Sequence, residues 1–271
     1  MREIAVAVEG IALWAPRLPD WDTARAVIRG ETQAPEAARA RPVAAMLAPT
    51  ERRRAPDCVA VALEVAAKAT QAAGRAATEM PAVFASTHGD TVISDYMCAT
   101  LASTPALISP TKFHNSVHNA AAGYWSIGTG STMPYTAISA FRQTFGVALL
   151  EAAIQVVCNS QAVLLVAFDT ESQGPLATVA ASRGLLGVAL VLGPELRAGA
   201  CGLRLRTALQ AAGHGGSTTI TPANSPAVEY IAGNALAPCL PLMELLARQQ
   251  ETAIALALGE RLALHVRLVR G

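Results

Sequence analysis

Met133-Pro-Tyr-Thr-Ala-Ile-Ser-Ala-Phe141 reads as a short strand that runs into a sharp turn and then a long helix. This is the layout of a nucleophile elbow. A reactive side chain at the tip of one sits where helix N-terminal amides lower a thiol's pKa and stabilise an oxyanion. Between Thr136-Ala137 and Ser139 the predicted tip residue is Ile138. Isoleucine has no nucleophilic atom, so the stretch predicts the frame of a nucleophile's site without its chemistry. The helix after it is expected over 139–157, with Phe141, Phe145, Ala148, Leu149 and Ala152 at helical spacing.

Outward from the elbow, strand and helix patterns alternate. Upstream, 120–127 is a helix broken by Gly128-Thr-Gly-Ser131, and 91–102 is another, followed by a loop marked by Pro105 and Pro110. Pro81-Ala-Val-Phe-Ala-Ser86 is a buried strand that leaves through Thr87-His-Gly-Asp90. Before it, Pro56 opens a helix that Gly74 ends. Residues 31–50, with Pro35, Pro42 and Pro49, form a loop, and Arg52-Arg53-Arg54 a solvated turn. The chain begins with a strand over 4–12 and a helix capped within Asp20-Trp-Asp-Thr23 and closed by Gly30.

Downstream, the apolar runs 161–168 and 187–192 are strands. The alternation predicts a mainly parallel sheet covered on both faces. After Gly193 the pattern changes. Leu203, Leu205 and Thr207 alternate with Arg204 and Arg206 in a half-exposed strand over 201–209. A Gly/Ser/Thr-rich loop covers 211–226, a helix begins near Pro238 or Pro241, and 252–258 with 261–269 finish as a pair of strands. The expected fold class is α/β, with one domain over 1–271.

A chain of 271 residues with 52% hydrophobic content has ample material for a core. Its formal net charge of +1, with 15% charged residues, gives no electrostatic reason to expect nucleic acid or an anionic membrane. Low charge fits a chain with a buried interface. The N-terminus lacks the apolar core of a signal peptide, and no apolar run is expected to reach the length of a membrane span, so a cytoplasmic protein is expected. Cysteines 58, 98, 158, 201 and 239 have no CxxC spacing and read as small buried hydrophobes rather than disulfides or zinc ligands.

Thr136-Ala137-Ile138-Ser139 resembles the Thr-Ala-Cys-Ser elbow of β-ketoacyl synthases, which have the thiolase fold, with the cysteine replaced. The preceding segment, Ser109-Pro-Thr-Lys-Phe-His-Asn-Ser-Val-His-Asn-Ala-Ala-Ala-Gly-Tyr-Trp-Ser-Ile127, is similar to a subgroup of short ketosynthase-like proteins found with aryl polyene and related pigment pathways. Members of that subgroup resemble the chain-length factors of type II polyketide systems. The resemblance implies a thiolase-like fold of layered helices and mixed sheets; it covers 1–195 by motif order and leaves 196–271 as a strongly reduced C-terminal half. In active synthases that half supplies two histidines and a lysine. His214-Gly-Gly-Ser-Thr218 faintly echoes the family's His-Gly-Thr-Gly-Thr, but it lies much closer to the elbow and reads as a chance match.

The resemblance implies an inactive subunit that pairs with an active β-ketoacyl synthase, completes the dimer surface and walls the acyl tunnel. Residues 133–138 are expected to pair across the interface. Acyl carrier protein reaches the complex through the partner, and no cofactor or metal belongs to this chain. The expected interface and tunnel residues are His114, Asn115, His118, Asn119, Tyr124, Trp125, Met133, Tyr135 and Ile138. Two other readings come from the residues. One is a free-standing acyl-thioester transferase or hydrolase using Ser139 or Cys158, although Ser139 reads as a helix cap and Cys158 as structural. The other is a homodimeric acyl-binding protein.

Overall fold

The computed structural model describes residues 3–196, 201–209 and 220–271. Strands β1 (Ile4–Trp14), β2 (Ala82–Ala85), β3 (Tyr135–Ile138), β4 (Val163–Asp169), β5 (Leu186–Gly193), β6 (Cys201–Leu209), β7 (Ala253–Ala257) and β8 (Leu262–Arg270) form one sheet. Their spatial order is β3-β2-β4-β5-β1-β6-β8-β7. The helices are α1 (Trp21–Arg29), α2 (Pro49–Arg54), α3 (Asp57–Ala73), α4 (Thr91–Ser103), α5 (Pro110–Asn115), α6 (Ala120–Thr129), α7 (Thr144–Asn159), α8 (Val228–Ile231) and α9 (Leu240–Arg248).

The sheet separates two cores, and alternation along each central strand feeds both. On β4, Val163, Leu165 and Ala167 join one core, together with α1, α7 and α9. Leu164, Val166 and Phe168 join the other, against α3 and α6. Strands buried on both faces are apolar throughout, which is why 161–168 showed no alternation in sequence. On β1 a bulge between Val8 and Gly10 shifts the register. Before it Val6, and after it Leu13, face the first core, so the bulge reverses which parity is buried. Gly10 admits α3 at close range: a Cβ there would collide with the carbonyl oxygen of Ala69.

The mixed sheet that the resemblance implies is present, and the mainly parallel arrangement expected before Gly193 is corrected. Only β2 runs parallel to its neighbours, β3 and β4. The pairs β4–β5, β1–β5, β1–β6, β6–β8 and β7–β8 are antiparallel. The reason lies in the connections, since a parallel neighbour needs a crossover, usually helical. Between β4 and β5 the chain makes only a short 3-10 turn, Gly174–Thr178, and returns antiparallel.

Three further expectations change. Arg52–Arg54 close the helix α2 instead of forming a turn, and Arg52 donates to the carbonyls of Ala45 (3.1 Å) and Leu47 (2.9 Å). Cys58 and Cys239 are buried, but Cys98 and Cys158 lie exposed on α4 and α7. The stretch Phe141–Asn159 is long and apolar enough to cross a membrane, with mean hydropathy 1.2. Here Phe145, Leu149, Ala152 and Val156 pack it into the first core. His214 and most of the predicted 211–226 loop lie outside the described residues.

Candidate functional site

β3 is the outermost strand at one end of the sheet. Ala82 N donates to Pro134 O and Ser86 N to Ile138 O, so alternate residues from Pro134 to Ile138 face β2. The backbone groups of Tyr135 and Ala137 therefore point away from the sheet. Tyr135 and Ala137 are also exposed in their side chains. The strand carries no charge, proline or bulge, the usual guards of an open edge.

Beyond β3 the chain turns, but not where the sequence placed the tip. Ile138 ends the strand, opposite Ala85, and packs half-buried against the first core. The residue in the left-handed region is Phe141, at φ 50°. A 3-10 turn, Phe141–Gln143, then leads into α7, which starts at Thr144 rather than at Ser139. Thr144 Oγ1 donates to Phe141 O (2.7 Å) and accepts from Ala140 N (3.0 Å), clamping the turn. The geometric tip is thus a phenylalanine, 48% exposed and without a nucleophilic atom.

Ser139 is not a helix cap. Its Oγ donates to Thr87 O (2.8 Å), tying the turn to the loop after β2. Cys158 sits in the last turn of α7, about 21 Å along the helix from Thr144. Beside the turn, a cavity of about 650 Å³ opens toward the C-terminal segment. Among the described residues lining it, only Arg142 and Glu260 are ionisable, and none is histidine, lysine or cysteine.

The loop after β2 is held by Asp169, at the end of β4 and 1% exposed. Its carboxylate accepts from Ser86 Oγ (2.8 Å), from Thr87 N (3.0 and 3.1 Å) and from His88 N (3.4 Å). Burial pushes this carboxyl above its ordinary 3.8, and the bonds from Thr87, Ser86 and His88 work against that rise. His118 Nε2 lies 2.9 Å from Ser86 O, which, being a carbonyl, can only accept, so the ring carries its proton on Nε2. So positioned, His88 meets Phe141 edge-on. Sequence reasoning missed Ser86, His88 and Asp169. The available signal was an acid placed directly after a fully apolar run.

The remaining expected residues divide. His114, Asn119 and Tyr124 line a cavity of about 940 Å³ with Met46, Val117 and Ile127. His114 meets Tyr124 edge-on at 6.2 Å, and burial raises Tyr124's pKa. The mouth is apolar, with Phe113 61% and Ile127 82% exposed. Asn119 Nδ2 donates to Tyr135 OH (3.1 Å), linking the cavity rim to the edge strand. Asn115 is buried and lines a separate cavity with Asp90 and Lys112, Met133 is half-buried, and Trp125, 5% exposed, is a core residue of the α3 side.

A family model described as β-ketoacyl synthase, N-terminal domain, matches residues 21–254. A search of curated proteins finds no match. Among solved structures, the ketosynthase ApeO in complex with its chain length factor ApeC from Xenorhabdus doucetiae matches with TM-score 0.65 at 19% identity, over 98% of this chain and 97% of that one. The ishigamide ketosynthase/chain length factor matches with TM-score 0.69 at 14% identity, over 99% and 100%. The AntDE:AntF complex, a type II acyl-carrier protein with its hexaketide-bound ketosynthase, matches with TM-score 0.73 at 11% identity, over 100% of both chains. At these identities the matches establish the thiolase-like ketosynthase fold.

Proposed function

The chain belongs to the β-ketoacyl synthase family, whose N-terminal-domain model spans residues 21–254, and from that premise we propose that it is a non-catalytic subunit of the chain-length-factor type. It pairs with an active β-ketoacyl synthase in the cytoplasm and shapes the tunnel in which a polyene-like acyl chain grows. The observation that carries this reading is the elbow tip, where Phe141 holds the left-handed position and offers no nucleophile. Supporting it, the cavity beside the turn has no histidine or lysine among its described lining residues.

In this proposal the partner forms the acyl-cysteine. It decarboxylates a malonyl thioester on the carrier protein, and the resulting carbanion attacks the acyl thioester to make the new carbon–carbon bond and release the thiolate. This chain's residues act by shape. The outward backbone of Tyr135 and Ala137 extends the sheet into the partner, while His88 and Phe141 wall the space beside the partner's site. The apolar mouth at Phe113, Val117 and Ile127 is covered by the same partner.

Light scattering after size-exclusion chromatography tests this, with the chain expressed alone and together with its neighbouring ketosynthase. A one-to-one complex is the expected outcome. A homodimer that ignores the ketosynthase would support the acyl-binding alternative instead. Two observations weigh against a free-standing enzyme: Ser139's proton is committed to Thr87 O, and Cys158 is at the far end of α7.

A further inference from the structure

The sheet's opposite end carries an unbalanced positive face. On β6, Leu203 and Leu205 turn to the first core with Leu264, Val266 and Leu268 of β8, on the side where α9 packs against β8. The other face presents Arg204, Arg206, His265 and Arg267. Arg204, Arg206 and Arg267 are exposed. The register sets Arg204 directly opposite Arg267, and Arg206 opposite His265. Ala253 and Ala255 of β7 and Ala5 of β1 complete the rows, so small residues floor the strip.

Like charges directly opposite one another oppose strand pairing. Arg204 has one acid, Glu3, at 3.1 Å. Among the described residues no carboxylate is ion-paired to Arg206 or Arg267. Segments 197–200 and 210–219, which flank β6, contain no Asp or Glu in sequence, so they supply no counter-charge. The nearby Glu9 is taken by Arg75.

We infer that this face of β6, β8 and β7 docks an acidic protein, and that the occupant is the acyl carrier protein that serves the complex. The inference rests on the function proposed above. Charge complementarity selects an acidic partner. The face has no aromatic side chain to stack a base, which disfavours nucleic acid. A small acidic protein fits a flat strip about three strands wide. β8 lies roughly 30 Å from β3, at strand spacings of about 4.8 Å, so the strip does not compete with the proposed heterodimer edge. At that distance it steers and retains carrier protein between deliveries instead of presenting the arm to the partner's site.

The test uses the purified heterodimer and carrier protein in stopped-flow association at low and high salt. Arg206→Glu with Arg267→Glu is expected to slow association about tenfold at low salt, with the difference vanishing at high salt. Arg25→Glu, on α1 and away from the strip, is expected to leave the rate unchanged. Arg206→Gln with Arg267→Gln guards against misfolding and is expected to give about a threefold loss. An unchanged rate with the heterodimer intact overturns the inference and spares the proposed function. Tighter binding of single-stranded RNA or anionic vesicles than of carrier protein to the same strip also overturns it. Failure of the wild-type heterodimer to form removes both.

Discussion

The ring of His88 meets the ring of Phe141 edge-on, with centroids 5.8 Å apart and planes at 65°. Each partner is fixed from behind. Asp169 holds the backbone of His88, and Thr144 holds that of Phe141. The turn after β3 is closed by two braced rings.

Phe141→Cys restores a thiol at the tip without restoring the groups that would use it. Condensing activity of this variant alone is expected to stay at background. Mass spectrometry of carrier-bound products checks this, and turnover well above background would contradict the reading of the C-terminal segment.

Phe141→Ala removes a wall. In the heterodimer it is expected to shift the product distribution toward longer chains, read by chromatography of released acyl groups. An unchanged distribution would take Phe141 out of the tunnel.

Asp169→Ala leaves Ser86 Oγ, Thr87 N and His88 N without their acceptor, at a cost of about 2–4 kcal/mol by urea unfolding. The loss carries a pH signature. Burial raises the folded carboxyl above its ordinary 3.8, so the folded chain holds this proton more tightly than the unfolded one. The group's contribution is therefore greatest below that value and declines as pH rises through the folded pKa. The difference between wild type and variant should narrow from pH 4 toward neutrality, within the window that Asp169 titrates.

Ala137→Pro removes an outward N–H while sparing the bonds that Pro134 and Ile138 accept from β2. Loss of the heterodimer with a change in the lone chain's stability of no more than about 1 kcal/mol is expected. Retention of the complex would show that the partner does not use this edge.

Gly146→Ala drives a methyl group into the carbonyl oxygen of Ala257, where α7 crosses β7. A loss of about 1–3 kcal/mol is expected from chemical denaturation, since backbone on backbone leaves nothing soft to yield.

Much of the fold was legible where chemistry is local. Pro56 and Gly74 bounded α3, and the alternation of Leu203 and Leu205 with Arg204 and Arg206 gave β6 its limits. The left-handed residue of the turn lies three positions past Ile138, and a phenylalanine in that conformation announces itself by no sequence sign, as a glycine would. In sequence, Trp125 groups with interface anchors, with the core as the alternative, because it is an aromatic beside the segment that resembles the ketosynthase dimer surface; its side chain packs in the α3 core. The Asp169 clamp joins residues more than 80 positions apart, and only the meeting of β2 with β4 brings them together.

The bulge in β1 has a consequence for how the molecule is put together. Residues Ile4–Ala7 pair with β6, and Ala7–Trp14 pair with β5, so one strand is shared by two blocks. Within the sheet, the C-terminal block of β6, β8 and β7 joins the rest through those four register pairs, while its inner face shares the first core with α7 and α9. Its hydrogen-bonded seam with the rest of the sheet is short. In native-state hydrogen exchange, that seam is where the first large opening should occur.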